Sequence, residues 1–133
     1  MPEVNRGITD VRSSRSVPQT IDRLESLASA RGLTVFARID FSGDAERAGL
    51  TMRPMQMLIF GNPKAGTPLL VTAPRVGLDL PLKALAWQDD HGAVWLSCND
   101  PQYLEARHGI PHALIANISG AIGLIKKAAE ADG

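Results

Sequence analysis

PLKALAWQDDHGAVWLSC, residues 81–98, places Asp89-Asp90-His91-Gly92 between two apolar-rich runs. Asp and Gly at such a junction favour a tight turn. The runs on either side are therefore predicted as the two strands of a hairpin, over 81–88 and 93–98. Val94, Leu96 and Cys98 alternate onto one face of the second strand. Trp87 and Trp95 are candidates to sit across the hairpin, with the register left open. A hairpin near the end of the chain argues against a doubly wound parallel sheet. So does the lack of a G-x-G-x-x-G after the first strand, which leaves the Rossmann arrangement as the runner-up.

Upstream, ITDVRSS (8–14) reads as a short strand and residues 1–7 as a loose N-terminus. Ser16 and Gln19 have capping-box spacing, and Pro18 falls in the first turn of the helix they open. Val17, Ile21, Leu24, Leu27 and Ala28 form its apolar face, and Gly32 is placed to end it. LTVFARI (33–39) and MQMLIF (55–60) are predicted strands, with a short helix between them that Asp40 can cap and Gly49 ends. A helix is expected over Ala65–Ala73, with Pro68 acceptable in its first turn but not in its middle. Asp100-Pro101 has the N-cap then N1 order of a further short helix. The last helix is expected over 114–130, with a break near Asn117–Gly120 and an apolar stripe at Ile118, Ile122, Ile125 and Ala129. The order β-α-β-α-β-α-β-β-α-α fits an α+β (α/β-like) domain over 8–131. Its architecture is expected to be a single mixed β-sheet with flanking helices and one hairpin in the C-terminal half.

The 133 residues suit one domain, and 44% of them are apolar, enough for a core. Fourteen basic residues balance fourteen acidic ones, so no strong field favours nucleic acid or an anionic membrane. Neither is expected as a partner. The N-terminus lacks a signal-peptide apolar region, and no run of apolar residues is long enough to span a bilayer. Cys98 is the only cysteine, which excludes an internal disulfide and fits a reducing, cytoplasmic setting. No cofactor or metal site is expected.

FGNPKAGTPLL (60–70) is the stretch closest to a chemical motif. Gly61 and Gly66 have the spacing of a P-loop, but Thr67 stands where its lysine belongs. Lys64 lies inside the loop, Pro63 and Pro68 remove two donors, and no Walker-B aspartate follows a strand. Two readings remain. In one, the loop is a rigid turn, with Asn62 and Thr67 as local caps. In the other, N–H groups near Lys64–Thr67 face a small polar or anionic ligand, with Lys64 and Thr67 as added donors. Ligand-contacting candidates are then Gly61, Asn62, Lys64, Gly66 and Thr67, with Arg38 or Asp79 at the rim.

His91 reads as a turn residue. His108 and His112 are four apart, but Gly109 and Pro111 lie between them, and no H-E-x-x-H occurs. Cys98 reads as a packed thiol. Asp79, His108 and Cys98 are the first places to look for an enzyme, should they converge within about 3.5 Å.

GLTVFARIDFSGDAERAGL (32–50), LIFGNPKAGTPLL (58–70) and LDLPLKALAWQDDHGAVWLSCNDP (78–101) resemble the DUF302 family of unknown function. SVPQTIDRLESLASARG (16–32) resembles the helix preceding those blocks. The similarity covers roughly residues 8–125 in the family's order. It implies a sheet with flanking helices and a homodimer, and attaches no role to Phe60, Gly61, Asn62, Pro63, Gly66, Thr67 or Pro68. A histidine familiar after the second strand is replaced here by Phe41 and Ser42, so no metal or acid–base role carries over from it. The leading functional expectation is a small-molecule or anion-binding domain of a soluble homodimer. A converging enzyme site and a structural or protein-interaction domain are the alternatives.

Overall fold

The computed structural model describes residues 6–130. Most of the expected loose segment 1–7 and residue 131 of the expected domain lie outside them. The strands are β1 (Ile8–Ser13), β2 (Thr34–Asp40), β3 (Met55–Gly61), β4 (Leu82–Gln88) and β5 (Val94–Asn99). The helices are α1 (Val17–Ala30), α2 (Phe41–Arg47), α3 (Pro63–Thr72), α4 (Pro101–His108) and α5 (His112–Ala129). A 3₁₀ turn, Pro74–Leu78, joins α3 to β4.

The strands form one sheet in the order β1-β5-β4-β3-β2. This is the expected α+β architecture: a single sheet, flanking helices and a hairpin in the C-terminal half. Its mixture lies in the connections, where helical crossovers accompany the hairpin. Neighbouring strands are antiparallel throughout, which removes the Rossmann alternative. The hairpin register sets Trp87 directly opposite Trp95. Their rings stack with centroids 6.5 Å apart. Asp89 holds the turn by accepting from the His91 and Ala93 backbone N–H groups, each at 2.9 Å, and from Trp95 Nε1 at 3.0 Å. Those bonds keep its carboxyl below the usual carboxylate range, the Trp95 bond most strongly.

Helix α1 starts as its residues predict. Ser16 accepts from Gln19 N while the Gln19 side chain returns to the Ser16 backbone, and Gly32 follows at φ +74°. The helix lays Val17, Ile21, Leu24 and Ala28 on the sheet, beside Leu124, Ile125 and Ala128 of α5. They cover Leu58, Phe60, Ala84, Ala86 and Leu96. Burial of each large side chain there contributes about 1.5–3 kcal/mol. Alternation puts Ile39, Met57, Ile59, Leu85 and Trp87 on the opposite face, where they are half-buried. At the edge of that face Trp87 Nε1 donates to Ser97 Oγ at 2.8 Å, and Ser97 donates to Asp10.

Two local expectations need correction. Helix α3 starts at Pro63, not Ala65, so Pro68 lies inside it. The ring removes one intrahelical bond, typically a cost of about 3 kcal/mol. The adjacent Thr67 hydroxyl donates to Pro63 O at 2.6 Å, and the following Leu69 is fully buried. Helix α5 runs unbroken through 117–120. Asn117 does not interrupt it, because its side-chain amide reaches outward to Ala65 O at 2.9 Å and ties α5 to α3.

Candidate functional site

The Gly61–Thr67 segment turns from the end of β3 into α3. Asn62 is the N-cap, with Oδ1 accepting from Lys64 N at 3.0 Å. Its carbonyl accepts from Ala65 N at 3.0 Å and Gly66 N at 2.8 Å. Pro63 has no N–H at all. Of the donors expected to cradle an anion, those of Lys64, Ala65 and Gly66 are therefore turned inward onto Asn62. Lys64 is exposed, and its side chain contributes no wall to the cavity beside the loop.

That cavity is a cleft of about 310 Å³. Gly61, Asn62, Gly66 and Thr67 line it, as four of the seven candidate residues. Most of the remaining wall is apolar: Leu70 of α3 and, from distant elements, Phe36 of β2, Leu80 and Pro81 before β4, and Ile118 of α5. Asn62 and Thr67 are exposed at the mouth, while Ile118 is buried at 3% exposure. Asn117 joins them from α5. Phe36 sits where the β2–β3 register shifts between Val35 and Ala37, and it is left 50% exposed. No local pattern marks Phe36, Leu80, Asn117 or Ile118 as neighbours; only the exposed phenylalanine within a strand hints at a function.

Arg38 and Asp79 do not join this cleft. Arg38 lies at the sheet edge under α1 and binds Asp22 at 2.7 Å, Glu25 at 3.2 Å and Gln56 at 2.9 Å. Asp79 follows the 3₁₀ turn and meets His108 Nε2 at 2.5 Å and Arg107 at 3.1 Å. The His108 side chain is only 6% exposed. Asp79 and His108 thus meet the distance required of a paired site. The space beside Asp79, which Cys98 also lines, is only about 10 Å³. That is room for about one water molecule.

Burial pushes the Cys98 thiol up to about 11, with Asp100 and Asp10 acting in the same direction. Cys98 is therefore a neutral thiol at ordinary pH, not an activated nucleophile. His112 pairs with Glu105 at 3.1 Å, and His91 is exposed in the hairpin turn. Among the described residues no group of three His, Cys, Asp or Glu side chains could hold a metal ion. No helix among them is long and apolar enough to cross a membrane.

The fold is similar to that of a crystal structure of an uncharacterised conserved protein DUF302 from Bacillus stearothermophilus. The TM-score is 0.79 at 23% identity, over 93% of this chain and 98% of that one. By sequence the chain is similar to "Fluoride-specific ion channel FluC 1" of Brucella suis biovar 1 (strain 1330), 44% identical over 107 residues. It is equally similar to "Fluoride-specific ion channel FluC 2" of Brucella melitensis biotype 1, also 44% identical over 107 residues. Each match covers 80% of this chain but only 42% and 40% of the respective relative. The chain thus spans about two fifths of the length of these relatives. The model of the domain of unknown function DUF302 matches residues 9–127, and the chain belongs to that family.

Proposed function

We propose that this chain is a small-molecule-binding domain whose ligand occupies the cleft beside Gly61–Thr67. One observation carries the reading: a space of about 310 Å³ with an apolar interior and a polar mouth. Its size falls at the lower end of ordinary small-ligand sites, about 300–1,000 Å³. The space that Asp79 lines is only about 10 Å³, which leaves the larger cleft as the better place for a ligand. The Brucella relatives are named as fluoride-specific channels. In this chain no helix among the described residues is long and apolar enough to cross a membrane. An NMR titration of ¹⁵N-labelled protein with a panel of neutral and anionic fragments tests the cleft reading. Shifts at Gly61, Gly66 and Asn117 are expected; shifts confined to Lys64 and Arg38 would contradict it.

A second copy of the chain is the partner read for the sheet face opposite α1 and α5. A solvated antiparallel face is usually polar, yet this one carries Ile39, Met57, Ile59, Leu85 and Trp87. Asp10 and Arg12 at its edge supply both signs of charge, and the chain's formal net charge is zero. Two copies related by a two-fold axis can therefore meet there without net repulsion. Light scattering after size exclusion should give a dimer that Met57→Lys dissociates. A strict monomer of the parent chain would rule this out.

A further inference from the structure

The walls of the cleft say what kind of molecule it takes. No Asp, Glu, Lys, Arg or His lines it among the described residues. A charged ligand entering there would lose hydration without meeting an opposite charge. Arg31 lines an adjoining cleft of about 240 Å³ that shares Asn62 and Asn117, not this one. The two amides are half-committed in complementary ways. Asn62 uses its Oδ1 on Lys64 N, which leaves its Nδ2 donors unused by any hydrogen bond among the described residues. Asn117 uses its Nδ2 on Ala65 O, which leaves its Oδ1 acceptor unused in the same sense. Thr67 donates its proton to Pro63 O and keeps lone pairs for accepting. The rim thus offers donors from one side and acceptors from the other, above an apolar interior.

We infer that the cleft takes a neutral molecule with a flat apolar body and one primary-amide-like end. The body lies against Phe36, Leu70, Leu80 and Ile118, and the end sits between Asn62 and Asn117. This rests on the cleft reading above and narrows it. An amide oxygen accepts from Asn62 Nδ2, and an amide N–H donates to Asn117 Oδ1. The volume is about twice the ~150 Å³ of a cavity that takes up one benzene, so a two-ring body fits. A bare halide finds neither a cation nor free backbone donors there.

The test is an NMR titration with 2-naphthamide, 2-naphthoate and sodium fluoride. The two naphthyl probes share a shape and differ in charge and in donors. The amide should shift Gly61, Gly66 and the Asn117 side-chain resonances, and should bind at least about tenfold tighter than the carboxylate. Asn62→Ser keeps a capping oxygen and removes the Nδ2 donors. Asn117→Leu removes the acceptor and keeps the bulk. Each should weaken the amide by about tenfold; Asn117→Leu should leave the carboxylate, which has no N–H to donate, within about twofold, whereas Asn62→Ser should weaken both probes. Amide binding unchanged in both variants overturns the hydrogen-bond assignment. Equal or tighter binding of carboxylate or fluoride, lost in Arg31→Ala or not, overturns the neutral class and leaves the cleft as a site. No shift with either naphthyl probe overturns the cleft reading itself.

Discussion

Helices α3 and α4 start alike and end in opposite surroundings. Each opens with a capping side chain and then proline: Asn62-Pro63 in one, Asp100-Pro101 in the other. Each cap accepts from the N–H two residues on, both at 3.0 Å. Beside α4 the chain packs closely. Pro101 and Leu104 are buried, and the remaining space is about 10 Å³. Beside α3 a cleft of about 310 Å³ stays open. Local chemistry sets where both helices begin. The open space beside α3 is walled by Phe36, Leu80 and Ile118, which arrive from elsewhere in the chain.

The largest expected effect comes from truncating the filled side. Leu104 is 1% exposed, and Leu104→Ala should lower unfolding free energy by about 2–5 kcal/mol in urea titrations. Leu70 is 39% exposed at the cleft, so Leu70→Ala should cost under about 1 kcal/mol. Equal losses would erase the difference between the two helix environments.

Next is the Asp79–His108 contact, which ties α4 to the segment leading into Leu80 and Pro81 of the cleft wall. Asp79→Asn should cost about 1–3 kcal/mol by the same titration, because His108 is buried with it. It should also weaken any cleft ligand. Loss of stability without any effect on binding would uncouple the two regions.

The caps themselves should behave as equals. Asn62→Ala and Asp100→Ala are each expected to cost about 1 kcal/mol. A several-fold difference would mean that the two helix starts are not equivalent after all.

The smallest effect near neutrality is that of Cys98. Its thiol keeps its proton to higher pH in the folded chain than in the unfolded one, so the unfolded state loses that proton first. The contribution of Cys98 to stability is therefore constant below about pH 9 and declines as pH rises through about 11. Alkylation by iodoacetamide should follow the same shift, half-maximal near 11 in the folded protein. Half-maximal reaction near 9, the thiol's ordinary value, would show that the burial is lost in solution.

Legibility followed the range of the interaction. Ser16 with Gln19, Asp40, Asp100-Pro101 and the Asp89–Gly92 turn act over a few residues and could be read directly. So could the Gly61–Thr67 turn, although its N–H groups close on Asn62 and do not face a ligand. The place of Pro68 within α3 is not legible from its neighbours, because the helix starts at Pro63 under the Asn62 cap, two residues upstream of the expected start. Asn117 looked like a break because its contact with Ala65 spans 52 positions. Arg38 and Asp79 belonged to other partners: Asp22 and Glu25 claim the first, His108 and Arg107 the second. No spacing rule joins Phe36 to Ile118.

Gly66 is the position at which helix stability and ligand space can be set against each other. It lines the cleft from within α3, and a Cβ added there meets nothing within 4 Å. Gly66→Leu should therefore raise helix stability by up to about 1 kcal/mol while filling the space a ligand needs. The expected result is a higher Tm together with loss of 2-naphthamide binding in the same protein sample. A higher Tm with undiminished binding would place the ligand elsewhere and contradict it.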